Sequence, residues 1–291
     1  MGQIVGAVGV PHHPSFPALA GEDTAFAAEL RRLYGTVAET LRALRPDVLV
    51  MYSSDHLNTF FTTMPTFTIG VCEQTDGPID RPDSPSYRVD VDHGLGRELH
   101  RLLVDAGFDL AVTHEFGLDH TFMVPYHFLA AGLGAAVVPV FINGLMPPVP
   151  RSERCFSFGR AMRAAIESIP DGKRIAIIAS GSVSLDLGGV HHGPDGEHHS
   201  FEYDGVPNSG WVDQVAEMLR AGATTELLHA ATADMLASAG NIGGELVNWI
   251  ATVAALDAVP PVFVERQGGL GNVFAAWDLQ PVADRLSGVA R

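Results

Sequence analysis

The sequence predicts an α/β fold in which a mostly parallel central sheet is flanked by helices. Two observations predict it. Ile4 to Val10, Asp47 to Tyr52 and Arg174 to Ile178 are continuous apolar, β-rich runs of strand length, as expected of strands buried on both faces. Strand-like and helix-like segments then alternate along the chain, the order from which parallel sheets are built.

Taken in order, Ile4 to Val10 is the first strand and ends at Pro11. From Thr24 to Leu44, the residues Phe26, Leu30, Leu33, Val37 and Leu41 recur at helical spacing, and Pro46 stops the helix. Asp47 to Tyr52 is the second strand. Leu99, Leu102 and Leu103 mark another helix, Ala135 to Ile142 a strand, Phe158 to Glu167 a helix and Arg174 to Ile178 a strand. Gly188 to Pro207 is rich in Gly, His, Asp and Pro and reads as a long loop, of a length that is often functional in compact domains. Helices follow at Trp211 to Leu219, Thr224 to Ala237 and Gly244 to Leu256, with a last strand at Pro261 to Glu265. There is no repeat, low-complexity tract or linker, so residues 1–291 read as one domain.

Composition narrows the function. The net charge is −16, from 18 Lys and Arg against 34 Asp and Glu, which argues against nucleic acid and anionic membrane as partners. The two cysteines, Cys72 and Cys155, form no CxxC pair, which fits a reducing cytoplasm. The N-terminus lacks a basic region before its short apolar run and reads as a strand, and no stretch approaches a membrane span. GxSxG, P-loop and HExxH motifs are absent, and Gly268-Gly269-Leu270-Gly271 lacks the strand–turn–helix setting of a dinucleotide site.

Of the 13 histidines, a few stand in telling places. His12 follows the first strand, where α/β sheets bind ligands, and His13 beside it competes for the same role. His56 follows the second strand, with Asp55 or a nearby carbonyl available to orient its ring. Glu245 opens a helix, where the helix dipole makes a simple capping role equally natural. By residue type these three supply the two imidazoles and one carboxylate of a facial triad for non-haem Fe(II). His120, beside Asp119 and Thr121, is either a helix-entry residue or an acid/base. His191, His192, His198 and His199 belong to a solvated loop or to a lid carrying a catalytic histidine. Arg151, Arg154 and Arg266 are either surface charges or partners for a substrate carboxylate.

These residues, in this order, resemble the class III (LigB-type) extradiol ring-cleavage dioxygenases. The resemblance is carried by His12-His13-Pro14, Asp55-His56-Leu57-Asn58, Asp119-His120 with Pro125, Pro139 to Gly144, Ala179-Ser180-Gly181, and Gly244-Glu245 with Trp249. It is closest in look to the 2,3-dihydroxyphenylpropionate 1,2-dioxygenases and the protocatechuate 4,5-dioxygenase β subunits. It implies that the histidine of His-x-Pro, His12, is a metal ligand with His56 and Glu245. It also implies that His120 handles protons or dioxygen, that the cofactor is Fe(II) and the co-substrate O2, and that a catechol-type ring opens to a hydroxymuconic semialdehyde-type product. A small aromatic substrate and a homo-oligomer are implied as well.

One departure matters. The family reads Ser-Gly-Gly-x-Ser-His after its central strand, and that histidine is the acid/base. Here the segment is Ser180-Gly181-Ser182-Val183-Ser184-Leu185. Leucine carries no proton, so Asp186, His191 or His192 replaces the histidine, or the chain runs a different metal-dependent reaction, or it is a catalytically impaired relative that binds or acts as a subunit.

Overall fold

A computed structural model describes residues 1–187 and 203–280. In chain order the strands are β1 (Gln3–Val10), β2 (Val48–Ser53), β3 (Phe67–Gly70), β4 (Gln74–Gly77), β5 (Tyr87–Asp90), β6 (Ala111–Thr113), β7 (Ala136–Ile142), β8 (Arg174–Ser180), β9 (Asp186–Leu187), β10 (Tyr203–Gly205), β11 (Phe263–Arg266) and β12 (Val273–Asp278). The helices are α1 (Phe16–Leu19), α2 (Ala25–Leu44), α3 (His93–Asp105), α4 (His120–Pro125), α5 (Ser152–Ser168), α6 (Ser209–Ala221), α7 (Thr224–Ala230), α8 (Ala233–Ser238) and α9 (Leu246–Ala255).

Eight strands form one sheet in the order β11-β12-β1-β8-β2-β7-β3-β6. The four central strands, β1, β8, β2 and β7, are parallel to one another. On one side β12 joins β1 antiparallel, and on the other β3 joins β7 antiparallel. The four predicted central strands therefore form a parallel core, with antiparallel strands attached at both edges.

The apolar runs are continuous because both sheet faces are covered. In β2, Val48, Val50 and Tyr52 enter one apolar cluster, with Phe158, Leu246 and Trp249. Leu49 and Met51 enter the other, with Leu30, Leu33, Val37 and Leu41 of α2. Helix α2 starts at Thr24, whose side chain accepts the Ala27 N–H, and ends at Arg45 in the left-handed region, just before Pro46.

Several elements differ from the sequence expectation, the short strands β3 to β6 among them. The helix expected over Thr224 to Ala237 is two helices, because Thr232 leaves helical geometry and caps α8 by accepting the Met235 N–H. The expected loop to Pro207 contains β10, which pairs with β9. Strand β12, next to β1 in the sheet, was not anticipated.

Candidate active site

Parallel strands in register bring their carboxyl ends to one edge, and the chemistry collects there. His12 lies two residues past β1, His56 three past β2, and Ser180 is the last residue of β8. Tyr34 of α2 donates its hydroxyl to the Pro11 carbonyl at 2.6 Å and holds the chain just before His12. Asp55 accepts the backbone N–H groups of Asn58, Thr59 and Phe60, so it folds the loop that carries His56 and does not orient the His56 ring.

Glu245 arrives from the opposite direction. It ends a single 3-10 turn, Gly243–Glu245, and leads into α9. This turn needs glycine, since a Cβ on Gly244 would lie 2.2 Å from the Gly144 carbonyl oxygen past the end of β7. One turn later, Asn248 donates to the Ser180 carbonyl at 2.8 Å and the Trp249 indole to the Gly181 carbonyl at 3.1 Å. These bonds tie the first turn of α9 to the end of β8.

Glu245 is fully buried. Its Oε1 lies 2.8 Å from His56 Nε2 and 3.2 Å from His12 Nε2, and its Oε2 accepts the Ser182 N–H at 2.9 Å. Burial pushes the carboxyl pKa up, but the two imidazoles outweigh it and hold the group well below the usual carboxylate range. At His56 burial acts downward, and the Glu245 hydrogen bond and charge, with Asp119 and Asp55, leave the pKa raised.

The tautomer of His12 follows from its neighbours. Ser180 has one hydroxyl proton, donated to the Thr121 carbonyl at 2.6 Å, so toward His12 Nδ1, at 2.8 Å, it is an acceptor. His12 therefore carries a proton on Nδ1. A neutral His12 then aims its Nε2 lone pair at the Glu245 carboxylate, and two acceptors at 3.2 Å require a cation, proton or metal, between or beside them. The donor set fits a metal. Ligands at right angles with bonds of about 2.1 Å sit roughly 3 Å apart, close to the 2.8 and 3.2 Å separations here.

His120 completes the cluster. Its ring centroid lies 4.9 Å from that of His56 and 5.7 Å from that of His12. Ring nitrogens of His12, His56 and His120 all fall within 4.8 Å of one another. Asp119 caps α4 through the Thr121 N–H, while its other oxygen accepts the His56 N–H at 2.9 Å. Asp80 binds His120 twice, accepting its backbone N–H at 2.9 Å on one oxygen and its Nδ1 on the other. Burial lowers the His120 pKa, the Asp80 bond opposes this, and the balance stays lowered, which favours a neutral ring with Nδ1–H on Asp80 and Nε2 free to face the cluster.

His13 lies at the edge of the site. It accepts the Ser15 N–H on Nδ1 at 3.2 Å and packs on Phe16. Burial, then the neighbouring His120, His12 and Arg81, bring its pKa down to about 4. Leu185 is buried and lines a cavity with His13, Phe16 and Phe26. Asp186 is turned away from that cavity, since its carboxylate accepts the Asn241 N–H at 2.8 Å. His191, His192, His198 and His199 lie outside the described residues. In the sequence Ser180 and Ser182 stand only as part of the family segment, with no role of their own, and Asp80 is not singled out. Only the expectation that a working histidine needs a carboxylate or hydroxyl partner pointed toward such residues, without saying which.

Residues 6–268 match the family described as the catalytic LigB subunit of aromatic ring-opening dioxygenase. Among similar proteins, a 2,3-dihydroxyphenylpropionate/2,3-dihydroxicinnamic acid 1,2-dioxygenase of Klebsiella pneumoniae subsp. pneumoniae is 26% identical, covering 84% of this chain and 88% of its own. The Pseudomonas putida protein of that name, numbered 1, is also 26% identical, over 80% of this chain and 84% of its own. A crystal structure of the uncharacterized protein JW3007 from Escherichia coli K12 shares the fold, with a TM-score of 0.56 over 94% of this chain and 98% of that one, at 16% identity. Among the described residues no helix is long and apolar enough to cross a membrane.

Proposed function

The chain belongs to the LigB family of aromatic ring-opening dioxygenases, and we propose that it cleaves a catechol-type ring with O2 in the extradiol position, using Fe(II) held by His12, His56 and Glu245. The observation that carries this reading is the convergence of His12 Nε2 and His56 Nε2 on one buried carboxylate oxygen. Bound there, Fe(II) supplies Lewis acidity and a template on which substrate and O2 meet. Two neutral imidazoles and one carboxylate leave a net positive site, suited to a catecholate. The names of the relatives, dioxygenases of dihydroxylated phenylpropionate and cinnamate, support a small aromatic substrate.

The protein residues divide the work. Ser180 fixes the His12 ring through Nδ1 and leaves Nε2 for the metal, and the Ser182 N–H orients Glu245. His120, aligned by Asp80, presents Nε2 to the cluster and can accept or return a substrate hydroxyl proton. Leu185 takes no proton. The whole chain acts as one catalytic domain, and by analogy with the family it assembles as a homo-oligomer.

Leu185 also favours a second reading, in which the scaffold serves a slower or different metal-dependent reaction. Loading with Fe(II) under argon, followed by oxygen-electrode and absorbance assays on catechols, carboxylated catechols and 2-aminophenols, separates the two. Uptake of one O2 per ring opened, with a yellow product, is expected. Tight Fe(II) binding without O2 uptake on any of them would replace this reading with the second.

A further inference from the structure

Beside the metal-donor cluster lies a cavity of about 180 Å³. Its apolar wall is Phe16, Leu19, Phe26, Leu185 and Leu270. Its polar side includes His13, next in the chain to His12, and Ser182, whose N–H holds Glu245. The cavity adjoins the donors through His13 and Ser182, no donor itself lines it, and its wall is mainly hydrocarbon.

Size and charge narrow the occupant. An apolar cavity of about 150 Å³ holds one benzene molecule, so this one takes a single benzene-sized group. Among the described residues no Lys or Arg lines it. The arginines that the sequence offered for a substrate carboxylate are elsewhere. Arg266 pairs with Asp213 and Arg154 lies over the Phe108 ring, while Arg151 is exposed ahead of α5. Arg81, close enough to influence His13, lies 3.9 Å from the Asp80 carboxylate and is absent from the cavity wall. A carboxylate entering this cavity would lose hydration and meet no Lys or Arg to balance its charge.

We propose that the cavity receives an uncharged, benzene-sized apolar substituent of the aromatic substrate, and that Leu185 is a specificity-determining residue for it. This rests on the ring-cleavage reading above and deepens it. The chain thereby differs in substrate class from relatives named for carboxylated catechols. Leu185 replaces a polar group with part of a hydrophobic wall, and an aromatic group buried against such a wall gains affinity through the area removed from water.

The test is calorimetry under argon on the full-length, iron-loaded protein, with 3-phenylcatechol, catechol and 2,3-dihydroxyphenylpropionate as probes. 3-Phenylcatechol is expected to bind at least tenfold more tightly than either of the others. Leu185→Phe, which pushes a ring into the cavity and narrows it, should reduce the preference for 3-phenylcatechol over catechol at least tenfold. Leu270→Trp, at the half-buried rim, should do the same if the first variant folds poorly. Equal binding of the three probes overturns the proposal, as does an unchanged preference in a folded variant. Tighter binding of the phenylpropionate also overturns it and points to Arg81. If the protein takes up no iron, the ring-cleavage reading fails separately. Toluene added to the metal-free protein then still tests the cavity, since it should raise the melting temperature of the wild type more than that of the narrowed variants. No rise in the wild type overturns the cavity assignment.

Discussion

The two sides of the site are built on opposite principles. On the donor side His12 is held by Ser180, Glu245 by Ser182 and His120 by Asp80, while Asp119 holds the backbone N–H of His56. On the Leu185 side the wall is mostly apolar and leaves space. The difference teaches where each kind of specificity comes from. Direction and protonation state need hydrogen bonds in a dry environment, because an unpaired buried polar group is costly. Selection among substituents needs volume and hydrocarbon, which tolerate exchange among side chains of similar size.

The comparison is broken most severely at Glu245. Glu245→Gln keeps the shape but removes the charge that His12 and His56 face, and iron content after desalting is expected to fall to background. Iron at a hundredfold excess over its dissociation constant should stabilise the wild type by about 2.7 kcal/mol, read as a rise in melting temperature that the variant lacks. A variant that keeps its iron would show that the carboxylate is not a ligand.

The next effect is at Asp80. Asp80→Asn frees the His120 ring to rotate or change tautomer, and turnover should fall about 10–100-fold while iron content stays at the wild-type level. Loss of iron together with turnover would instead make His120 part of the metal site. Ser180→Ala removes the acceptor for His12 Nδ1 and the donor to Thr121. It should weaken iron affinity by roughly 10–100-fold and destabilise the fold by about 1–3 kcal/mol, measured by metal competition and denaturant unfolding.

The smallest effect belongs to the apolar side. Leu185 already faces open volume, so Leu185→Ala should cost about 2 kcal/mol, the low end for a buried leucine, with iron affinity unchanged. A cost of about 5 kcal/mol would mean that the wall is close-packed and the contrast between the two sides overstated.

What could be read in the chain depended on how local the signal was. β1, β2, β7 and β8 were legible because burial on both faces writes an apolar run into each of them. α2 was legible because one face packs on the sheet, and that recurs every three to four residues. β3 and β6 were missed because they are only four and three residues long, and Val112 of β6 is exposed. β12 was hidden behind the turn-like run from Gly268 to Asn272. Asp80 sits in Pro78-Ile79-Asp80-Arg81-Pro82, which looks like any loop, and nothing local shows that its carboxylate meets a histidine forty positions away.

The sequence by itself determined the α/β class, the parallel core, the chemical types of the proposed donors, and the leucine standing where a proton carrier was expected, because each is a property of residue type or of short-range periodicity. The tertiary structure alone decided which ring nitrogen of His12 faces Glu245, which carboxylate holds His120, that Asp186 turns away, and that Leu185 borders a cavity. Those depend on distances between segments far apart in the chain, and such distances exist only once the sheet has brought its strand ends to one edge.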